Sequence, residues 1–146
     1  MNPFRTHFTA DLDASNVGED VQVAGWVLRR RDHGGIAFLD IRDGQGIVQV
    51  VVDPANLPQV NELRMEYTVA VAGEVSPRPE GTVNPDLATG EIEIHARELD
   101  PLSPADPLPF MLDDRTEIEE RLRLRYRYLD LRRPRMAENL RARSRA

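Results

Sequence analysis

Five stretches of the chain alternate apolar and polar residues with the period of a β-strand, each bounded by Gly, Pro, Asn or Asp. They are Val21–Arg31 (VQVAGWVLRRR), Ile36–Arg42 (IAFLDIR), Ile47–Asp53 (IVQVVVD), Tyr67–Val75 (YTVAVAGEV) and Glu91–Glu98 (EIEIHARE). Between the third and fourth, Pro54–Glu66 spaces Leu57, Val60, Leu63 and Met65 as a short helix would. This order predicts an all-β chain with short helices: a five-stranded OB-fold barrel, which presents one sheet face and its loops to oligonucleotides. The spacers HGG (33–35) and DGQG (43–46) are hairpin connections, whereas Ser76–Gly90 is a long loop rich in Pro, Gly and Asn.

After the barrel, Asp100–Asp114 (DPLSPADPLPFMLDD) holds four prolines, a density that predicts neither helix nor central strand but an extended linker. Thr116 is placed to cap a helix (TEIEERLRLRYRYLDLRR), and Pro134 to start a second. The expected organisation is a barrel over 1–99, a proline-rich linker over 100–115 and a helical hinge segment over 116–146. The last helix reaches the end of the chain without a stop signal, as expected of a piece of a longer protein.

Strand parity sorts the side chains. Ile92, Ile94 and Ala96 face the core, which turns Glu91, Glu93, His95 and Arg97 outward. Ala37, Leu39 and Ile41 face inward, leaving Phe38, Asp40 and Arg42 outside. Gln49 alternates with Val48 and Val50, and Arg29 and Arg31 share one face of the first strand. One face thus offers two arginines, a phenylalanine, a glutamine and a glutamate. Such a set suits single-stranded nucleic acid: a ring for stacking, guanidiniums for phosphates, amide and carboxylate groups for base edges.

Composition limits the alternatives. All 19 basic residues are arginine, against 25 acids. Residues 1–114 carry −12 and residues 115–146 carry +6, so nucleic-acid contact here depends on local placement of arginine and not on bulk charge. The absence of cysteine excludes disulfides, Cys-ligated zinc, iron–sulfur clusters and a cysteine nucleophile. No apolar run has the length of a membrane span and the start MNPFRTHFTADLD lacks a signal-peptide core, so the expected compartment is the cytoplasm. The three histidines show no metal-site spacing. Neither a phosphate-binding glycine loop nor a nucleophile motif occurs, and no catalytic centre is expected. The residues alone leave open a free-standing single-strand binder and a protein–protein adaptor.

The segments AGWVLRRRDHGGIAFLDIRDGQGIVQVVVD, ATGEIEI and RLRLRYRYLDLRRPRMAENLRARSRA, in that order, resemble the amino-terminal part of bacterial aspartyl-tRNA synthetases, class II aminoacyl-tRNA synthetases. The resemblance runs from about Thr6 to Ala146. It implies that the barrel binds the tRNA anticodon. Phe38 would stack on the middle base, a uridine, and Gln49 would hydrogen-bond that base. Glu93 would contact the guanine end, with Arg29, Arg31 and Arg64 at the bases and backbone. His33, after RRRD, and Gly81, after RPE, resemble the form that charges both tRNA(Asp) and tRNA(Asn). The resemblance further implies a homodimeric parent enzyme that uses ATP and Mg²⁺, with its catalytic residues outside this chain.

Overall fold

The computed structural model describes residues 3–146. Five strands close into a barrel: β1 (Asp20–His33), β2 (Ile36–Arg42), β3 (Ile47–Val52), β4 (Thr68–Pro77) and β5 (Ile92–Ser103). Their order around the ring is β1-β2-β3-β5-β4, with β4 returning to β1. All pairs are antiparallel except β3 with β5, where Val50 lies opposite Ile94 and Val51 opposite His95. That parallel pairing puts the outer faces of β2, β3 and β5 side by side, and the candidate site stands on it.

The interior is filled as strand parity demands. Ala37, Leu39 and Ile41 of β2, Val48, Val50 and Val52 of β3, and Ile92 and Ile94 of β5 are fully buried. The β-branched valines and isoleucines among them suit the pleated wall of a small barrel. Val60 and Leu63 are buried in the same core. The helix expected over Pro54–Glu66 is a shorter 3₁₀ helix, Pro58–Glu62, and Met65 lies outside it, exposed. Only Val60 of the helix is fully buried, so packing supports little more than a single turn.

β1 departs from simple alternation. Val21, Val23 and Val27 point inward, so an unbroken period of two would carry Arg29 and Arg31 inward as well. A register shift between Val27 and Arg29 makes Leu28 an extra residue, and the arginines pair outward, Arg29 opposite Asp40 and Arg31 opposite Phe38. The bulge is therefore what delivers Arg31 to the face of Phe38. Arg30, between them, donates to the Val60 carbonyl at 2.7 Å and pairs with Asp32 at 2.9 Å, which ties it down.

The proline-rich stretch begins later than expected. β5 continues through Asp100, Pro101 and Leu102 to Ser103, beyond the boundary expected at residue 99. Pro101 is tolerated because this end of β5 pairs with β4 alone and a register shift falls beside it. The chain divides into two compact units, one ending at Pro107 and the other spanning Leu108–Ala146.

In the second unit the single helix expected from Thr116 is two short ones, α1 (Glu120–Arg125) and α2 (Arg127–Asp130), followed by α3 (Pro134–Arg145) with Pro134 in its first turn. Thr116 caps nothing; its backbone N–H donates to Asp113 Oδ1 at 2.9 Å, ahead of the helix. The break falls at Tyr126 (φ −108°, ψ 47°), whose ring meets Phe110 edge-on at 6.5 Å. Phe110, Leu112 and Leu129 form a small core there. Asp130, fully buried, accepts from Arg123 at 2.9 Å, Arg127 at 3.1 Å and Arg133 at 3.3 Å. Burial pushes its carboxyl up, but hydrogen bonds from Arg123 and Arg133 and their charges outweigh this, holding it below the ordinary carboxylate value. Among the described residues, no helix is long and apolar enough to cross a membrane.

Candidate nucleic-acid interface

On the outer face of the barrel, three polar side chains from three strands form one chain of hydrogen bonds. Arg31 of β1 donates to Gln49 Oε1 at 2.9 Å. Gln49 of β3 donates from Nε2 to Glu93 Oε2 of β5, also at 2.9 Å. Gln49 is 6% and Glu93 4% exposed, although both sit on the face turned away from the core. Buried polar groups need partners, and each here is satisfied by the next. The Arg31 guanidinium lies 3.5 Å from Asp40 and 5.9 Å from the centroid of Phe38, its neighbour across the strands. A charge-supported network thus borders a half-buried aromatic ring.

This network and the ring line a pocket of about 640 Å³ whose walls also include Val51, Arg78 and His33. The hairpin supplies His33: Gly34 and Gly35, both at positive φ (60° and 79°), make the tight turn that joins β1 to β2. The long loop supplies Pro79 and Thr82. Its turn is closed by Thr82 N–H donating to the Pro79 carbonyl at 3.0 Å, with Gly81 at φ 82°. The β1–β2 hairpin and the β4–β5 loop therefore meet at one end of the barrel.

Of the expected residues, Arg31, His33, Phe38, Gln49 and Glu93 all line the pocket. Gly81 is next to it, between lining residues. Arg29 and Arg64 are exposed and are not part of its wall.

Two residues escaped the sequence reading. Arg78 is 9% exposed; its Nε donates to the Ile92 carbonyl at 3.0 Å, and its Nη2 is buried without a partner. Burial lowers its pKa from the ordinary arginine value, while the charges of Asp40 and Glu93 act the other way. A buried donor left unpaired in a pocket wall suits an acceptor atom arriving from outside. A lone loop arginine has no periodicity to mark it; its one sequence signal is that Pro77 and Pro79 bracket it and stiffen the backbone. The second is His95, which parity turns outward with Glu93 but to which the sequence attaches no role; its Nε2 stands 2.8 Å from Glu93 Oε1.

An aromatic ring, an amide–carboxylate pair and arginine donors around one cleft are the groups that single-strand recognition uses. Among the described residues, no group of three or more His, Asp or Glu is arranged to hold a metal ion.

Residues 21–102, more than half of the chain, match the family described as OB-fold nucleic acid binding domain. The chain belongs to that family. Within it, the chain is 57% identical over 142 residues to an aspartate–tRNA(Asp/Asn) ligase of Thermobifida fusca, covering 97% of this chain and 24% of the relative. An aspartate–tRNA(Asp/Asn) ligase of Halothermothrix orenii is 52% identical over 145 residues, with 97% and 25% covered. The chain thus spans about a quarter of the length of these curated relatives. Among solved structures, asparaginyl-tRNA synthetase from Pyrococcus horikoshii in complex with asparaginyl-adenylate superposes with a TM-score of 0.73 at 27% identity. That match covers 88% of this chain and 29% of the other.

Proposed function

We propose that this OB-fold unit reads a tRNA anticodon as part of an aspartate–tRNA(Asp/Asn) ligase. The observation that carries this most directly is the Arg31–Gln49–Glu93 chain, with Gln49 and Glu93 buried, beside Phe38 in a pocket that also holds the unpaired Nη2 of Arg78. Phe38 stacks on the middle uridine of the anticodon, worth ~1–3 kcal/mol per base. Gln49 and Arg31 read that base's edge, and Glu93 accepts from the guanine. Arg78 donates to an oxygen acceptor of the entering loop. Arg29 and Arg64, exposed outside the pocket, meet the phosphate backbone.

The tRNA partners are tRNA(Asp) and tRNA(Asn), which share the first two anticodon bases and differ at the third. His33 in the pocket wall and Gly81 beside it border that third base. A histidine offers a donor or an acceptor, and a glycine adds no side chain to exclude cytosine or uracil. The whole protein uses ATP and Mg²⁺ to activate L-aspartate and transfers it to the terminal adenosine of the tRNA, as a cytoplasmic homodimer. Those steps belong to residues other than the ones described above.

Titration of this chain with an Asp anticodon stem-loop tests the proposal. Wild-type protein should bind and Arg78→Ala should bind at least fivefold more weakly. Equal affinity of both for the stem-loop, or no preference over a stem-loop of scrambled anticodon, would overturn it.

A further inference from the structure

Glu93 is held from two sides. Gln49, on the neighbouring strand β3, donates to its Oε2 at 2.9 Å, and His95 approaches its Oε1 at 2.8 Å. His95 follows Glu93 by two residues on β5, so both side chains leave the barrel on the same face. The imidazole is itself more than half exposed and is not part of the pocket wall, whereas Glu93 is 4% exposed and is. His95 therefore reaches the polar side of the pocket through the carboxylate; the other pocket-wall residue beside it, Val51 opposite it on β3, is apolar and makes no hydrogen bond with its side chain.

Each carboxylate oxygen has two acceptor directions, and the anchors take one apiece. What remains is a planar pair of acceptors, and the base that matches it is guanine, whose Watson–Crick edge carries N1–H and N2–H₂ side by side. Cytosine, adenine and uracil each offer a single donor group there. Reading two donors at once requires the carboxylate plane to be fixed, yet the terminal torsion of glutamate is intrinsically broad. One anchor leaves it free to turn. A competing partner is at hand, because the buried Nη2 of Arg78 in the same pocket has none. On the other side of His95, its partner across β4 is Glu74, already paired with Arg97, which also holds Asp20. Glu74 thus has its own cation, leaving the imidazole with Glu93.

We propose that His95 is a positioning residue: it fixes the Glu93 carboxylate in the plane that accepts a guanine edge and so sets base choice at that position. This rests on the anticodon reading of the pocket, and the test separates the two. Stem-loops identical except for guanine or adenine at the first anticodon base are titrated against the wild-type chain, His95→Leu and His95→Gln. Wild type should prefer guanine by tenfold or more. His95→Leu should cut that ratio at least fivefold by weakening the guanine stem-loop, with the adenine one changed less than twofold. His95→Gln, which keeps a side-chain N–H, should recover most of the ratio. A wild-type preference that survives His95→Leu, an equal loss for both RNAs, or no rescue by glutamine would each overturn the role of His95 while the anticodon reading stands. Binding of neither RNA by wild type would overturn the anticodon reading and this role with it. If His95→Leu does not melt cooperatively, His95→Ser serves in its place under the same criteria.

Discussion

Phe38 and Leu39 are adjacent in β2 but stand on opposite faces, so truncating each to alanine separates binding from stability. Leu39 is fully buried in the barrel core, where a leucine-to-alanine cavity costs ~2–5 kcal/mol. For a domain of this size ~1 kcal/mol moves Tm by roughly 4–8 °C, so Leu39→Ala should melt at least about 8 °C lower. Phe38 is half-buried on the outer face, against Arg31 and Val51. Its removal costs a cation–π contact of ~0.5–1 kcal/mol. The cross-strand packing lost with it is worth a further ~0.2–1 kcal/mol. Phe38→Ala should therefore cost ~0.7–2 kcal/mol in all, roughly 3–16 °C in Tm by the same conversion, a smaller drop than that of Leu39→Ala. Binding should reverse the order: Phe38→Ala removes a base stack of ~1–3 kcal/mol, five- to 150-fold in Kd, while the folded fraction of Leu39→Ala retains near-wild-type affinity. Thermal melts by circular dichroism and stem-loop titration by fluorescence anisotropy read the two quantities. If Phe38→Ala loses as much stability as Leu39→Ala and keeps full affinity when folded, the face assignment is inverted.

Arg31 and Arg29 should differ in salt dependence. Arg31→Gln should weaken stem-loop binding without changing the slope of log K against log salt, because Arg31 is tied to Gln49 in the pocket; Arg29→Gln should flatten the slope by ~0.7, the loss of one single-strand phosphate contact. Stem-loops with the Asp and Asn anticodons should bind the wild type within about tenfold, a difference under ~1.4 kcal/mol. His33→Leu, in the pocket wall, should widen that gap more than Gly81→Lys does; the lysine should also lower Tm through ~1–2 kcal/mol of strain at φ 82°, a penalty that Gly81→Asn largely escapes. A hundredfold Asp preference in the wild type would refute the shared tolerance. In the C-terminal unit the Asp130 carboxyl is held below its unfolded value, so its contribution is complete above about pH 4 and disappears as pH falls through the lowered folded value. Asp130→Asn should therefore reduce α-helical circular dichroism at pH 6, and the difference from wild type should shrink towards pH 2; a difference independent of pH would contradict the role assigned to the charge.

The barrel was legible because strand burial repeats every second residue, and Leu39, Val50 and Ile94 report it without help from distant contacts. What defeated the pattern was local exception. The bulge at Leu28 reverses the inward parity set by Val27, and no glycine marks it; Arg29 and Arg31 reach the outer face by that reversal and not by alternation. Pro101 suggested a linker, yet it belongs to β5 where that strand has a single paired neighbour. In the C-terminal segment the period of Leu122 and Leu129 fits one helix, but the turn at Tyr126 sets its ring against Phe110, a contact no local pattern encodes. The site divides in the same way. Phe38, Gln49 and Glu93 followed from parity alone. The bond between Gln49 and Glu93 spans 44 residues and depends on the parallel pairing of β3 with β5. Arg78 lies in a loop, where no periodicity exists to be read.

The most direct test of the central claim is the Kd of this chain, at one fixed salt concentration, for a stem-loop carrying the G-U-C anticodon against the same stem with the three bases permuted. A surface that recognises the anticodon should favour G-U-C by tenfold or more, and Gln49→Ala should abolish that preference while leaving the weak affinity for the permuted loop intact. Equal Kd values for the two RNAs with the wild-type chain would contradict it, leaving the pocket without base selectivity.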